Sequence, residues 1–94
     1  MLYVICTNVV EKKNLAAFLN AAKAHAKKSQ DIDKGCISFD VSKYDENANE
    51  VMFVEKWASR EDLDVHLKRC ASEPLIKEIV SKRVDKGMKI VEID

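Results

Sequence analysis

Four residues of this chain pair useful chemistry with informative spacing: Asn8, Glu55, Trp57 and His66. Glu55 and Trp57 stand two apart in an apolar run, so a strand places both on one face. His66 follows nine residues after Trp57, within the series Leu63, His66, Leu67 and Cys70, which is one stripe of a helix. A histidine titrates near neutral pH and can move protons at a reacting oxygen. An indole N–H or an Asn amide can hydrogen-bond that oxygen.

Each residue also has a structural reading. His66 fits a core-edge histidine with one satisfied ring nitrogen. Trp57 fits a core or interface anchor that needs a partner for its indole N–H. Glu55 must be paired if buried, and the many lysines offer a salt bridge. Asn8 can cap the turn after its strand. His25, at the margin of the first helix, packs or snorkels and receives no role.

The elements that position these groups follow from periodicity. Residues 2–9 are β-branched and apolar and read as a strand. A helix starts between Glu11 and Leu15, with Leu15, Phe18, Leu19, Ala22 and Ala26 on one face, and stops near Ser29 or Gln30. Lys27 and Lys28 then suit its last turn. Residues 36–44 form a strand with Ile37, Phe39 and Val41 on one side, and residues 50–57 a strand with Val51, Phe53, Glu55 and Trp57 together. Ser59 caps the helix carrying His66, with Asp62 three residues on. A second cap near Ser72, with Pro74 behind it, starts another helical piece, and Gly87 opens a last strand over residues 88–93.

The order is an α+β, ferredoxin-like βαββαβ plan in a single domain over residues 1–94, built on an antiparallel sheet. Both faces of that sheet read as apolar, yet the chain has helices for only one. A second copy of the same sheet is the economical cover, giving a homodimer with a dimeric α/β barrel.

Composition narrows the function. The 94 residues are 47% hydrophobic, enough for a core. Sixteen basic residues balance 16 acidic ones, so nothing draws the chain to nucleic acid or an anionic membrane. No stretch approaches a membrane span, and the N-terminus does not read as a signal peptide. Three scattered cysteines without a CxxC pair suit a reducing, cytoplasmic setting. No phosphate loop, nucleophile elbow or metal-ligand spacing appears, so no cofactor and no metal are expected.

The run Gly35-Cys36-Ile37-Ser38-Phe39-Asp40-Val41, then Glu55-Lys56-Trp57, then Ser59 through Leu63 to His66-Leu67 resembles the antibiotic biosynthesis monooxygenase (ABM) family. The resemblance covers nearly the whole chain in order. It implies a ferredoxin-like, usually dimeric protein and a cofactor-independent oxidation of a small aromatic quinol or phenol by O2. It also implies Asn8, Trp57 and His66 as catalytic residues, His66 taking the proton while the other two hydrogen-bond the oxygens. Glu55, Phe39, Phe53 and Met52 are the expected substrate contacts. Relatives often carry a second histidine soon after the first; here the segment reads His66-Leu67-Lys68-Arg69-Cys70-Ala71-Ser72, which argues against haem degradation. A non-catalytic ligand-binding or stress-related module, and an isomerase of a small phosphorylated sugar, are the alternatives.

Overall fold

The computed structural model describes residues 1–93. Four strands, β1 (Leu2–Val10), β2 (Cys36–Val41), β3 (Glu50–Trp57) and β4 (Arg83–Glu92), form one sheet in the order β2-β3-β1-β4. Every neighbouring pair is antiparallel. The helices α1 (Leu15–Ile32), α2 (Arg60–Cys70) and α3 (Pro74–Lys82) bury residues against a single face of it. A short 3₁₀ turn at Lys12–Asn14 leads into α1. This is the ferredoxin-like α+β fold expected from the strand and helix periodicities.

Alternation along β1 and β3 decides what each face carries. Leu2, Val4, Cys6, Asn8 and Val10 are buried on one side of β1, and Val51, Phe53, Glu55 and Trp57 on the same side of β3. Phe18, Ala21, Ala22 and Ala26 of α1, Leu63 of α2 and Ile79 of α3 complete that core. The ring of Phe18 stacks on Phe53 at 6.0 Å, and fully burying such a side chain contributes roughly 2–3 kcal/mol. The small Ala positions let α1 lie close over the sheet. Met52 alternates onto the opposite face with Val54 and Lys56. It therefore cannot contact a ligand held under the helices, contrary to the sequence expectation.

Several boundaries differ from those read in the sequence, each for a local reason. α1 runs to Ile32, because Asp31 is paired with Lys27 one turn earlier at 2.8 Å and is tolerated in the last turn. Lys27 and Lys28 consequently fall short of that turn. β2 ends at Val41, and a register shift between Cys36 and Ser38 leaves Ile37 as an extra residue, 49% exposed. The α3 cap is Glu73, whose carboxylate accepts from the Leu75 backbone N–H, with Pro74 following it. β4 begins at Arg83, directly after α3, so Gly87 lies within the strand opposite Thr7. The Ser59 cap is as expected, accepting from the Asp62 backbone N–H at 3.1 Å.

The turn between α1 and β2 docks on the corner between β3 and α2. Ala58 donates its N–H to the Gly35 carbonyl at 2.8 Å. Gly35 has φ +81°, and a Cβ there would stand 2.2 Å from the Asp62 carboxylate and 2.6 Å from its Cβ. Gly35→Ala is expected to lower unfolding free energy by more than the roughly 1–2 kcal/mol that left-handed backbone alone costs. Urea unfolding measures it, and a loss under about 0.5 kcal/mol, typical of neutral surface changes, would contradict this packing.

Candidate functional site

The docked turn puts Asp33 beneath α2, where it meets His66. The His66 Nδ1 to Asp33 Oδ2 distance is 2.6 Å, and both side chains are nearly buried. Arg69, almost one turn on from His66, grips the same carboxylate through Nε at 2.7 Å and Nη2 at 2.9 Å. Burial works to raise the Asp33 pKa, but the hydrogen bonds from Arg69 and His66 outweigh it and hold it below the usual range. Asp33 is thus an anion that can only accept. The proton of neutral His66 must sit on Nδ1, and Nε2 presents its lone pair. Burial lowers the His66 pKa, with Asp33 opposing, so the ring is neutral near pH 7.

Nε2 of His66 lies 3.4 Å from the Cys70 sulfur, one helical turn further along α2. His25 of α1 closes the group: its Nε2 is 4.0 Å from the same sulfur, and its ring centroid is 5.4 Å from that of His66. Burial, then the charges of His66 and Arg69, push the His25 pKa down to about 4. Burial raises the Cys70 thiol to about 11, Arg69 working the other way. His25 received no role from its place in the sequence; packed edge-on to Phe39 at 5.3 Å, it instead borders the polar cluster beside His66 and Cys70.

These groups face a cavity of about 110 Å³ between the sheet and the helices. Phe39 and Phe53 form aromatic walls, Glu55 lies at the sheet side, and Arg83 and Lys86 of β4 supply positive charge. Leu67 and Met88, 37% and 43% exposed, border it toward solvent. A wider groove between α1 and β2 is an open surface depression lined by Lys23, Lys27, Asp31 and Asp40, without convergent chemistry.

Of the residues singled out in the sequence, the structure brings His66, Glu55, Phe39 and Phe53 to this cavity. Asn8 and Trp57 stand behind the wall, both fully buried. The Trp57 indole donates to Glu55 Oε1 at 3.0 Å, and its ring packs on His66 at 4.5 Å. The Asn8 amide donates to the Val51 carbonyl at 3.0 Å and accepts from Arg83 at 3.1 Å. Their donors are therefore committed within the protein, and they orient Glu55 and Arg83 rather than reaching the cavity. Asp33, Arg69 and Arg83 were not identified from the sequence, because each acts through a partner distant in the chain. The Cys70 spacing from His66 was the one available local signal.

Among the described residues no lysine forms a salt bridge with Glu55; its hydrogen-bond partners are Trp57 and, more weakly, the Cys6 thiol at 3.8 Å, and Lys86 acts on it only through its charge. Burial pushes its pKa from an ordinary 4.5 to about 7, against the Trp57 and Cys6 hydrogen bonds. A carboxyl with a raised folded-state pKa contributes stability that is complete below 4.5 and lost as pH rises through about 7. Glu55→Gln should equal wild type near the lower limit and exceed it above the upper, by about 3 kcal/mol at most. Parallel urea titrations across this window check it; a pH-independent difference would refute the assignment.

The family profile described as antibiotic biosynthesis monooxygenase matches residues 1–78. A comparison with curated proteins gave no match. Among solved structures, the chain is similar to an antibiotic biosynthesis monooxygenase crystal structure at 22% identity and TM-score 0.82, covering 100% of this chain and 99% of that one. It is also similar to a conserved protein from Methanosarcina mazei Go1 at 20% identity and TM-score 0.81, covering 99% and 92%. A conserved protein of unknown function from Bacteroides thetaiotaomicron aligns at 19% identity and TM-score 0.80, covering 98% and 96%. These likenesses establish the shared fold, and the profile match over residues 1–78 shows that this chain belongs to the antibiotic biosynthesis monooxygenase (ABM) family.

Proposed function

We propose that this chain is a cofactor-independent monooxygenase that oxidises a small quinol or phenol with O2. The observation that carries the proposal is the Asp33–His66 pair, which fixes the Nδ1 proton and leaves a neutral Nε2 acceptor at an aromatic-walled cavity. His66 takes the phenolic proton, and the electron-rich phenolate is then the reductant for O2. For a quinol the balance closes without a further reductant. Quinol and O2 give hydroxyquinone and water; one oxygen atom enters a ring C–H and the other leaves as water, all four electrons coming from the substrate. Arg83, held by Asn8, and Lys86 stabilise the developing oxyanion. Phe39 and Phe53, with centroids 5.6 Å apart, hold the ring.

Cavity size narrows the substrate. An engineered apolar cavity of about 150 Å³ admits benzene, so about 110 Å³ takes a single-ring quinol only when the bordering Leu67 and Met88 swing outward, and a bicyclic one needs more room still. Oxygen uptake with monocyclic and bicyclic quinols, in the presence of a chelator, tests the proposal. His66→Gln should lower kcat by about 10²–10⁴, the usual contribution of a general base, while Cys36→Ser should leave it unchanged. Binding of quinols without oxygen uptake by the wild-type protein would overturn the proposal and make this a ligand-binding module.

We further propose a homodimer through the sheet face away from the helices. Tyr3, Ile5, Met52, Val54 and Val91 form a half-exposed apolar centre there, with Lys56 and Lys89 beside it and Asp40 on β2. Apolar residues flanked by both signs of charge suit a self-complementary two-fold contact. Light scattering should give twice the chain mass for wild type and a folded monomer for Val54→Lys. A monomeric wild type would overturn the dimer.

A further inference from the structure

We propose that His25, His66 and Cys70 form a mononuclear site for a zinc-class divalent ion. One ligand atom from each lies within 4.8 Å of the others. Tetrahedral bonds of about 2.0–2.1 Å to nitrogen and 2.3 Å to sulfur put nitrogen and sulfur about 3.6 Å apart. The two Cys70 sulfur distances, 3.4 Å to His66 and 4.0 Å to His25, bracket that edge. Two imidazoles and a thiolate form a borderline-soft set suited to Zn(II) or Co(II) rather than Mg(II) or Ca(II).

Three further features fit an ion. His66 Nδ1 is held by the Asp33 carboxylate, the outer-shell arrangement that orients a ligating histidine and raises its basicity. His25 is 2% exposed, and Nε2, the nitrogen that would bind the ion, makes only the long contact to the Cys70 sulfur; Nδ1 has no hydrogen-bond partner among the described residues, and an ion on Nε2 does not supply one. A buried polar group so poorly satisfied is unusual. All three ligands border the cavity, so a fourth position opens toward it for water or a ligand oxygen. Binding releases the Cys70 thiol proton to solvent as the sulfur–metal bond forms, and no electron moves.

The site goes beyond the oxidation proposed above and competes with it, because a bound ion occupies the His66 lone pair that serves there as base. Titration of the whole chain with Co(II) needs no substrate and so separates the two proposals. Expected is one ion per chain, with a thiolate-to-cobalt charge-transfer band and tetrahedral visible bands. Cys70→Ser should lose the charge-transfer band, and Cys36→Ser should keep it. Asp33→Asn should retain the stoichiometry with affinity lowered about 10–100-fold, the usual effect of an outer-shell change. Zn(II) should displace Co(II) and raise the thermal midpoint of the wild-type protein. A wild-type protein without the charge-transfer band, or a band undiminished in folded Cys70→Ser, would overturn the site.

Discussion

The buried Asp33 carboxylate is the constraint around which the helical layer is organised. It ends α1, accepts two hydrogen bonds from Arg69 and one from His66, and so ties that end to α2. Arg69 extends the chain to Glu73 at 2.7 Å, and Glu73 in turn takes Lys28 at 2.7 Å while capping α3. Three helices thus share one run of paired charge, buried at Asp33 and Glu73 and open to solvent at Lys28. Such pairs add little net stability as wholes, but losing a single partner costs about 3–5 kcal/mol because the remaining charge stays buried. The arrangement therefore specifies geometry more than it adds stability. Its chemical consequence is a single His66 tautomer with a defined acceptor atom.

A second layer of control comes from the sheet. The helix-facing side of β1 and β3 carries Asn8, Glu55 and Trp57 among apolar residues, and each polar group is satisfied by a protein partner. Asn8 positions Arg83 and Trp57 positions Glu55, so the groups bordering the cavity are oriented from behind. Among the described residues, the opposite face carries no comparable buried polar set. Strand alternation separates the two tasks: one side for chemistry, the other an apolar surface.

Much of this was legible locally. The β3 alternation placed Val51, Phe53, Glu55 and Trp57 together, and the Ser59 cap and Leu63–His66 spacing set α2, because side-chain direction follows backbone period. The failures were equally local. An i, i+4 pair prolonged α1 past its turn-like residues, a bulge turned Ile37 outward, and β4 started at Arg83 with no glycine to mark it. The periodicity of β3 also places Met52 away from the core, although as an apolar residue it was a natural choice for a cavity wall.

Element order, buried stripes and family could thus be read from residue type at short spacing. Which polar groups meet depends on the docking of elements distant in the chain. Asp33 and His66 are 33 positions apart, and Cys70 and His25 are 45 apart. Their hydrogen bonds depend on how α1 and α2 dock over the sheet. Hydrogen bonding is directional to within tenths of an ångström, so residue type alone could not tell that the donors of Trp57 and Asn8 are consumed inside the protein. Nor could it tell that the unassigned His25 stands beside His66.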